Sequence, residues 1–291
     1  MENALALCRF AHFISVMFLF GAGAYAWLFA AEALRSEISS MLRRPAIALG
    51  VVAVVSALIW LALEAAEMGG AWNDAIHADV LREVLFSTAF GQVWQVRIAL
   101  TIALVATLIF GRRDSWALPT CLAAASVASL GLIGHAAMQT GGLGILHRAN
   151  HAAHLLAAAA WLGGLFPFVL CLKAYGREAH RRDAVRAMMR FSSVGHIFVL
   201  LVVATGAVNV ALTTHALPWP PTSLYRALLL AKIVLVGAMI GVALFNRYVL
   251  APRVRPHAAS LRYLRATSLG ELSLAVVVVG LVSFFGLLDP A

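Results

Sequence analysis

Residues 147–172 read HRANHAAHLLAAAAWLGGLFPFVLCL. The run from Leu155 to Leu172 carries no charged side chain, and as a helix it is long enough to cross most of the ~30 Å hydrocarbon core of a bilayer. Comparable runs recur through the 291 residues, of which 62% are hydrophobic and 12% charged. A soluble domain is roughly half apolar and a quarter charged. Because lipid offers no partners to free backbone groups, and the runs are too long for barrel strands, the sequence predicts an all-α polytopic membrane protein.

We predict eight membrane spans, at about 5–32, 45–66, 93–111, 116–138, 148–172, 191–213, 225–248 and 268–288. The net charge of +9 is unevenly distributed, because Lys and Arg gather in the loops after spans one, three, five and seven. By the positive-inside rule these loops face the cytoplasm, so both termini face outward. In a bacterial inner membrane the outer side is the periplasm. The charge therefore indicates topology and not the binding of nucleic acid.

Two spans share a pattern that indicates an internal duplication. His12 is followed nine residues later by Gly21, and His154 nine residues later by Gly163, with mainly small or apolar residues between them. Two further spans each place an aromatic residue seven positions before a cation: Phe90 before Arg97, and Tyr225 before Lys232.

The duplication predicts two parallel four-helix repeats, residues 1–138 and 139–291, related by an axis along the membrane normal. His12 and His154 would then be equivalent, and we expect them to face each other about two turns below the outer surface.

Histidines crowd the predicted outer end of the hairpin that spans four and five form. Spacings of four and three residues place His147, His151 and His154 on one face of a helix. His135 closes the preceding span, and Met138 follows it by one turn. Imidazole is the commonest protein ligand for copper, zinc and haem iron, and a thioether suits Cu(I). The predicted metal ligands are therefore His12, His135, His147, His151, His154 and Met138; the alternative is a set of interfacial polar residues.

Further polar side chains at membrane depth are candidates for orienting a ligand or lining an ion path, because burying them in lipid is unfavourable. On the outer side these are Glu64, Glu67, Arg97, Asn209 and Lys232. On the inner side His196 and Glu271 form either an exit station for an ion or a structural hydrogen-bonded pair. Ordinary interfacial carboxylates, and cations that snorkel to the headgroups, are the alternatives for the outer group.

Motifs that lie mostly in the second half resemble those of a known family. In chain order they are Gly134-His135-Ala136, His154, Trp161-Leu162-Gly163-Gly164, Arg190-Phe191-Ser192-Ser193, Thr205-Gly206, Asn209, Tyr225, Leu229, Lys232, Asn246-Arg247 and Pro252. Their order and spacing resemble the copper resistance protein D (CopD/PcoD) family. The resemblance implies an eight-span inner-membrane protein that moves copper from the periplasm to the cytoplasm. It also implies a periplasmic copper-binding partner of the copper resistance protein C type.

The sequence leaves three functions open. The first is copper binding and translocation without catalysis, since the chain has no phosphate loop, His-Glu-x-x-His motif or nucleophile elbow. The second is a membrane cytochrome that holds haem b between His12 and His154, or between His135 and His151. The third is a copper sensor or assembly factor. Small residues at Gly163-Gly164 permit close helix packing, either within the bundle or in a homo-oligomer.

Overall fold

The computed structural model describes residues 1–134, 139–214, 220–253 and 258–290. Within these ranges the chain forms nine α-helices, joined by short 3-10 and π turns, and has no β-strand. The helices are α1 (Glu2–Leu28), α2 (Glu32–Gly69), α3 (Ala78–Ser87), α4 (Ala89–Phe110), α5 (Ala117–Ser129), α6 (Gly141–Ala174), α7 (Arg181–Thr214), α8 (Leu224–Phe245) and α9 (Ala258–Phe285). The prediction of an all-α polytopic membrane protein is confirmed.

The helices follow the predicted spans, with one difference in length. Seven helices of the described chain are long and apolar enough to cross a membrane. The fourth predicted span, about 116–138, is instead a shorter apolar helix, α5, extended by a 3-10 turn at Leu130–Leu132. The short helix α3 lies between the second and third predicted spans and buries little of its surface, with Val84 its one buried residue.

Helices α1 and α6 pack against each other at the centre of the bundle. A Cβ atom on Gly21 would lie 2.2 Å from the carbonyl oxygen of Ala159, and one on Gly163 would lie 2.6 Å from the carbonyl oxygen of Met17. Both positions therefore require glycine, because only the missing side chains let the two backbones meet. Further along both helices Tyr25 donates a hydrogen bond to the Cys171 sulfur, 3.2 Å away, so α1 and α6 run in the same direction.

Several contacts of the remaining helices correspond between the two halves, although α2 packs on α4 whereas the described residues of α7 and α8 hardly touch. Helix α1 packs on α2 as α6 packs on α7, and α4 packs on α5 as α8 packs on α9. The contact of α1 with α9 likewise matches that of α6 with α5. This correspondence follows the order of the proposed duplication, whose division near residue 138 stays a prediction.

Long-range bonds bring the predicted cytoplasmic loops to one end of the bundle, which we call the basic end. Arg43 in α2 donates to the carbonyl oxygens of Gly111 at 2.6 Å and Arg112 at 3.2 Å, beyond α4. Arg177, after α6, pairs with Glu37 in α2. The opposite end, where α1 and α6 begin, carries the histidine row of α6 and is called the histidine end.

Candidate metal site

His12 is seated in the first half by two hydrogen bonds to α2. Its Nδ1 lies 3.1 Å from the carbonyl oxygen of Ala53 and 3.1 Å from the hydroxyl oxygen of Ser56. Because a carbonyl only accepts, the ring proton is on Nδ1. The second nitrogen, Nε2, is then an acceptor, and it lies 3.5 Å from Nη1 of Arg97 in α4. Both ring nitrogens of His12 therefore have partners in the protein.

Arg97 closes the space in front of His12. The exposed fraction of its side chain is 0%, and its charge lies against Trp94, with 4.7 Å between the guanidinium carbon and the ring centroid. That arrangement is a cation–π contact. His12 is also fully buried, with its ring centroid 6.0 Å from that of Trp60 and 6.1 Å from that of Trp94. A metal ion at Nε2 of His12 would have to take the place of the Arg97 contact, and His12 as a ligand stays a prediction.

His154 occupies the corresponding place in the second half, but its ring nitrogens have different hydrogen-bond partners. Its Nδ1 lies 3.0 Å from the hydroxyl oxygen of Thr205, whose own proton is donated to the carbonyl of Leu201. The imidazole therefore donates through Nδ1, and Nε2 carries the lone pair. Gly206 makes room for the ring, since a Cβ there would lie 3.2 Å from Cε1 of His154. Nε2 has no hydrogen bond within the part of the chain that the structure describes.

His151 and His147 continue the row along α6 toward its start. The His151 ring is nearly parallel to that of His154, at 9°, with 6.5 Å between centroids. Nδ1 of His151 accepts from the amide of Asn209 at 3.2 Å, and Nδ1 of His147 donates to the amide oxygen of Gln139 at 3.0 Å. His147 therefore donates through Nδ1, as metal-binding imidazoles usually do, whereas His151 accepts through Nδ1.

Asn209 gains its own orientation from α6. Its amide oxygen accepts from the amide of Asn150 at 2.9 Å, and the same amide of Asn150 donates to the carbonyl of Thr205 at 2.9 Å. The polar seam between α6 and α7 therefore holds His151 through Asn209. Asn150 and Gln139 were missed as site residues at the sequence level, although Asn150 lies one turn before His154 and so faces the same helix.

The remaining predicted ligands do not join this row. His135 and Met138 lie outside the described residues. Within the described ranges no three His, Cys, Asp or Glu side chains converge into a group that would hold a metal ion. The structure therefore brings His151 and His154 together, but it does not assemble the predicted set around one ion.

The two predicted acidic residues lie in the first half. The Glu64 carboxylate accepts from the indole of Trp60 at 3.1 Å and interacts with the charge of Arg9, whereas Glu67 is exposed at the end of α2. Lys232 in α8 interacts electrostatically with His154. Arg97 and Lys232 thus each accompany one of the two corresponding histidines.

His12 and His154 do not face each other as the duplication predicted. The polar partners of His12 lie in α2 and α4, whereas those of His154 lie in α7 and α8. The physical reason is that each ring turns away from the tight α1–α6 contact into its own half. A haem held between these two residues would need facing rings, which this arrangement does not provide.

At the basic end, His196 and Glu271 line one cavity of about 350 Å³, but they are not bonded to each other. Nδ1 of His196 donates to the carbonyl of Ser192 at 2.9 Å, and Nε2 accepts from the hydroxyl of Tyr248 at 3.0 Å. Glu271 instead accepts from the amide of Asn246 at 3.5 Å. The alternative of a direct hydrogen-bonded pair is therefore wrong.

The fold and the histidine row define a polytopic helical membrane protein with a candidate metal site between two helices. A family model described as "Copper resistance protein D-like, N-terminal domain" matches residues 1–145, and one described as "Copper resistance protein D" matches residues 185–285. The chain belongs to the copper resistance protein D family, which confirms the resemblance found in its motifs.

Named relatives span most or part of the chain. "Inner membrane protein YebZ" of Escherichia coli (strain K12) is 36% identical over 288 residues, which cover 97% of each chain. "Copper resistance protein D" of Pseudomonas syringae pv. tomato is 29% identical, covering 100% of this chain and 98% of the relative. "Copper transport protein CutJ" of Bacillus subtilis (strain 168) is 29% identical over 152 residues, covering 50% of this chain and 28% of the relative. No solved structure matches the chain at a significant level.

Proposed function

We propose that the chain binds copper ions at the histidine end of its second half and moves them across a bacterial inner membrane. The observation that carries this proposal is the hydrogen bonding of His154. Its Nδ1 is held by Thr205, while Nε2 has no hydrogen bond within the described residues. Membership of the copper resistance protein D family, and a relative named as a copper transport protein, support copper as the ion.

The chemistry of the row suits copper. His154 is proposed as the principal ligand through Nε2, and His151 as the second ligand when the ion replaces the Asn209 amide at its Nδ1. His147 lies one turn nearer the histidine end, and His135 and Met138 are further candidates from the preceding segment. Metal–nitrogen bonds of about 2.0 Å hold two nitrogens roughly 4 Å apart across one ion, a span that two rings with centroids 6.5 Å apart can meet. Imidazole serves Cu(II), and it serves Cu(I) at low coordination number. A loose set of ligands also suits transport, because a single tight site would trap the ion.

The direction of movement follows from the charges. The basic end gathers the arginine-rich loops, so by the positive-inside rule we assign it to the cytoplasm and both termini to the periplasm. The histidine end then receives copper from the periplasm. We propose delivery by a periplasmic copper-binding protein of the copper resistance protein C type, and transport without catalysis.

Vesicles test this function directly. Wild-type protein, a His151→Ala/His154→Ala double variant and a His77→Ala control are reconstituted, and copper uptake is measured over time. His77 is an exposed histidine at the start of α3, bonded to Asp74 outside the row. We expect uptake by wild type and by the control, and at least a tenfold loss in the double variant.

The same preparations separate the alternatives. Copper bound but not taken up by wild-type vesicles would contradict transport and favour a sensor or assembly factor. Iron with a Soret absorption band in purified protein would contradict the copper assignment and favour the b-type cytochrome. Full uptake by the double variant would remove the histidine row from the path.

A further inference from the structure

A cavity of about 350 Å³ lies among α6, α7, α8 and α9 in the second half and includes residues of the basic end. On α7 it extends to Val203, two residues before the Thr205 that holds His154. On α6 it extends to Trp161, seven residues after His154, which is about 10 Å along a helix. The cavity therefore extends from the basic end to within about 10 Å of the histidine row along α6. A space of this volume has room for several water molecules.

Glu271 is the buried acid of this cavity. The exposed fraction of its side chain is only 2%, and one carboxyl oxygen, Oε2, accepts from the amide of Asn246 at 3.5 Å. Trp161 also interacts with the carboxyl group, but Oε1 has no partner within hydrogen-bonding geometry among the described residues. Ionisation of a buried carboxyl group with so few hydrogen-bond donors costs much free energy. It must carry a proton or meet water and charge that enter the cavity.

Asn246 is held so that its amide donates to Glu271. Its amide oxygen accepts from the hydroxyl of Thr267 at 2.6 Å, which turns the amide nitrogen toward the carboxyl group. Asn246 begins a five-residue π turn, Asn246–Leu250, that continues α8. Such turns are rare, and they occur often at functional sites.

The other ionisable groups that line the cavity do not neutralise Glu271. His196 on α7 uses both ring nitrogens in bonds to Ser192 and Tyr248. Arg247, in the π turn after α8, donates to the hydroxyl of Ser193 at 3.2 Å. The lining residues of α6 are apolar or aromatic, and α9 adds Ser268 beside Glu271. No ion pair to Glu271 forms within the described part of the chain.

We propose that Glu271 exchanges a proton with water in this cavity and that its proton is released when copper binds at His154. The proposal rests on the proposed copper site and deepens it. An acid, an amide and a hydroxyl are hard, oxygen-rich groups that suit a proton better than a soft copper ion. This separates the role of the cavity from that of the histidine row.

The step balances without a further reactant. The O–H bond of the Glu271 carboxylic acid breaks, the proton passes to a water molecule and leaves at the basic end, and the carboxylate keeps the bonding pair. The amide of Asn246 donates to that carboxylate. For a separation on the order of 10 Å, the rise along α6 from His154 to the Trp161 beside Glu271, a positive ion at an effective dielectric constant near 20 favours the ionised form on the order of tenfold. When copper leaves, Glu271 takes up a proton again.

Infrared difference spectroscopy on the purified full-length protein tests the proposal. The carboxylic-acid carbonyl band is recorded before and after addition of Cu(I) under anaerobic reducing conditions, and the protons released per copper are measured in weak buffer. The variants are Glu271→Gln and the control Glu83→Gln, which removes an exposed acid on α3. Glu271→Asp keeps an acid at the position if the Gln variant does not fold.

We expect wild type and Glu83→Gln to show an acid band that decreases when copper binds, and Glu271→Gln to lack it. Glu271→Gln should bind copper but release up to about half a proton fewer per ion, the most that a tenfold change in the ionisation of Glu271 can supply, and Glu271→Asp should retain that release. Bound copper with an unchanged band, or equal proton release by wild type and Glu271→Gln, would overturn the coupling while leaving the copper site intact. Absence of copper binding by wild type would instead overturn the proposed function, and the coupling with it.

Discussion

His12 and His154 occupy corresponding places in the two halves, yet their second ring nitrogens, Nε2, have different surroundings. Each donates through Nδ1 to the next helix, His12 to the carbonyl of Ala53 and the hydroxyl of Ser56, and His154 to the hydroxyl of Thr205. What separates the two histidines is the second nitrogen, which faces Arg97 in the first half and has no hydrogen bond within the described residues in the second.

The surroundings of the two histidines also differ in how closely they are packed. The first half encloses its histidine with aromatic rings, since Trp60 and Trp94 lie 4.8 Å apart and Phe90 stacks on Trp94 at 4.6 Å. The second half leaves a cavity among α6, α7, α8 and α9 below its histidine. The surroundings of the histidine are thus more closely packed in the first half, and the proposed copper site lies in the half that has the cavity.

The largest expected effect is at the contact that joins the halves. Gly21→Ala places a Cβ 2.2 Å from the Ala159 carbonyl, so α1 and α6 must separate. We expect a loss of stability of about 3 kcal/mol or more, or no folded protein. Thermal unfolding in detergent measures it. Gly237→Ala, where a Cβ meets nothing within 4 Å, is the matched control and should be neutral or slightly stabilising. Equal stability of the two variants would show that the halves do not depend on this contact.

The next effect concerns the residue that closes the first half. Arg97→Met replaces a fully buried cation, whose Nε and Nη2 lack partners among the described residues, with an apolar side chain of similar length. We expect a gain of roughly 1–2 kcal/mol, because a buried charge without an anion is unfavourable. Arg97→Lys keeps the charge and should give no gain. Unfolding temperatures decide the point, and a clear loss of stability in Arg97→Met would mean that Arg97 has a partner beyond His12 and Trp94.

The smallest expected effect comes from removing the hydroxyl groups that bond to the two histidines. Thr205→Val keeps the shape but removes the acceptor for His154, so we expect copper affinity to fall about tenfold. Ser56→Ala removes the corresponding hydroxyl from His12 and should lower stability by about 1 kcal/mol with unchanged copper affinity. Copper titration of both variants makes the comparison. Equal affinities would show that the Thr205 contact does not orient a ligand.

Much of the fold was readable from the sequence because hydropathy alone locates spans. The row of His147, His151 and His154 was equally accessible, since its spacing fixes one face of one helix. The glycines of the repeat, Gly21 and Gly163, proved to mark the helix contact itself.

The sequence does not predict how each helix is rotated about its own axis. Lipid and bundle interior are both apolar, so the sequence does not say which face of a span meets which neighbour. The approach of Arg97 to His12, across 85 positions of chain, and the separate bonding of His196 and Glu271 follow from that rotation. The shared cavity of His196 and Glu271 also depends on where α7 and α9 stand around α6.

The central claim is that the second half binds the ion and the first half does not. It is tested most directly by the copper content per chain, measured by mass spectrometry, of purified wild type, His12→Ala and His154→Ala prepared side by side. We predict copper near one per chain in wild type and in His12→Ala, and a loss in His154→Ala. Copper lost in His12→Ala but kept in His154→Ala would contradict the account.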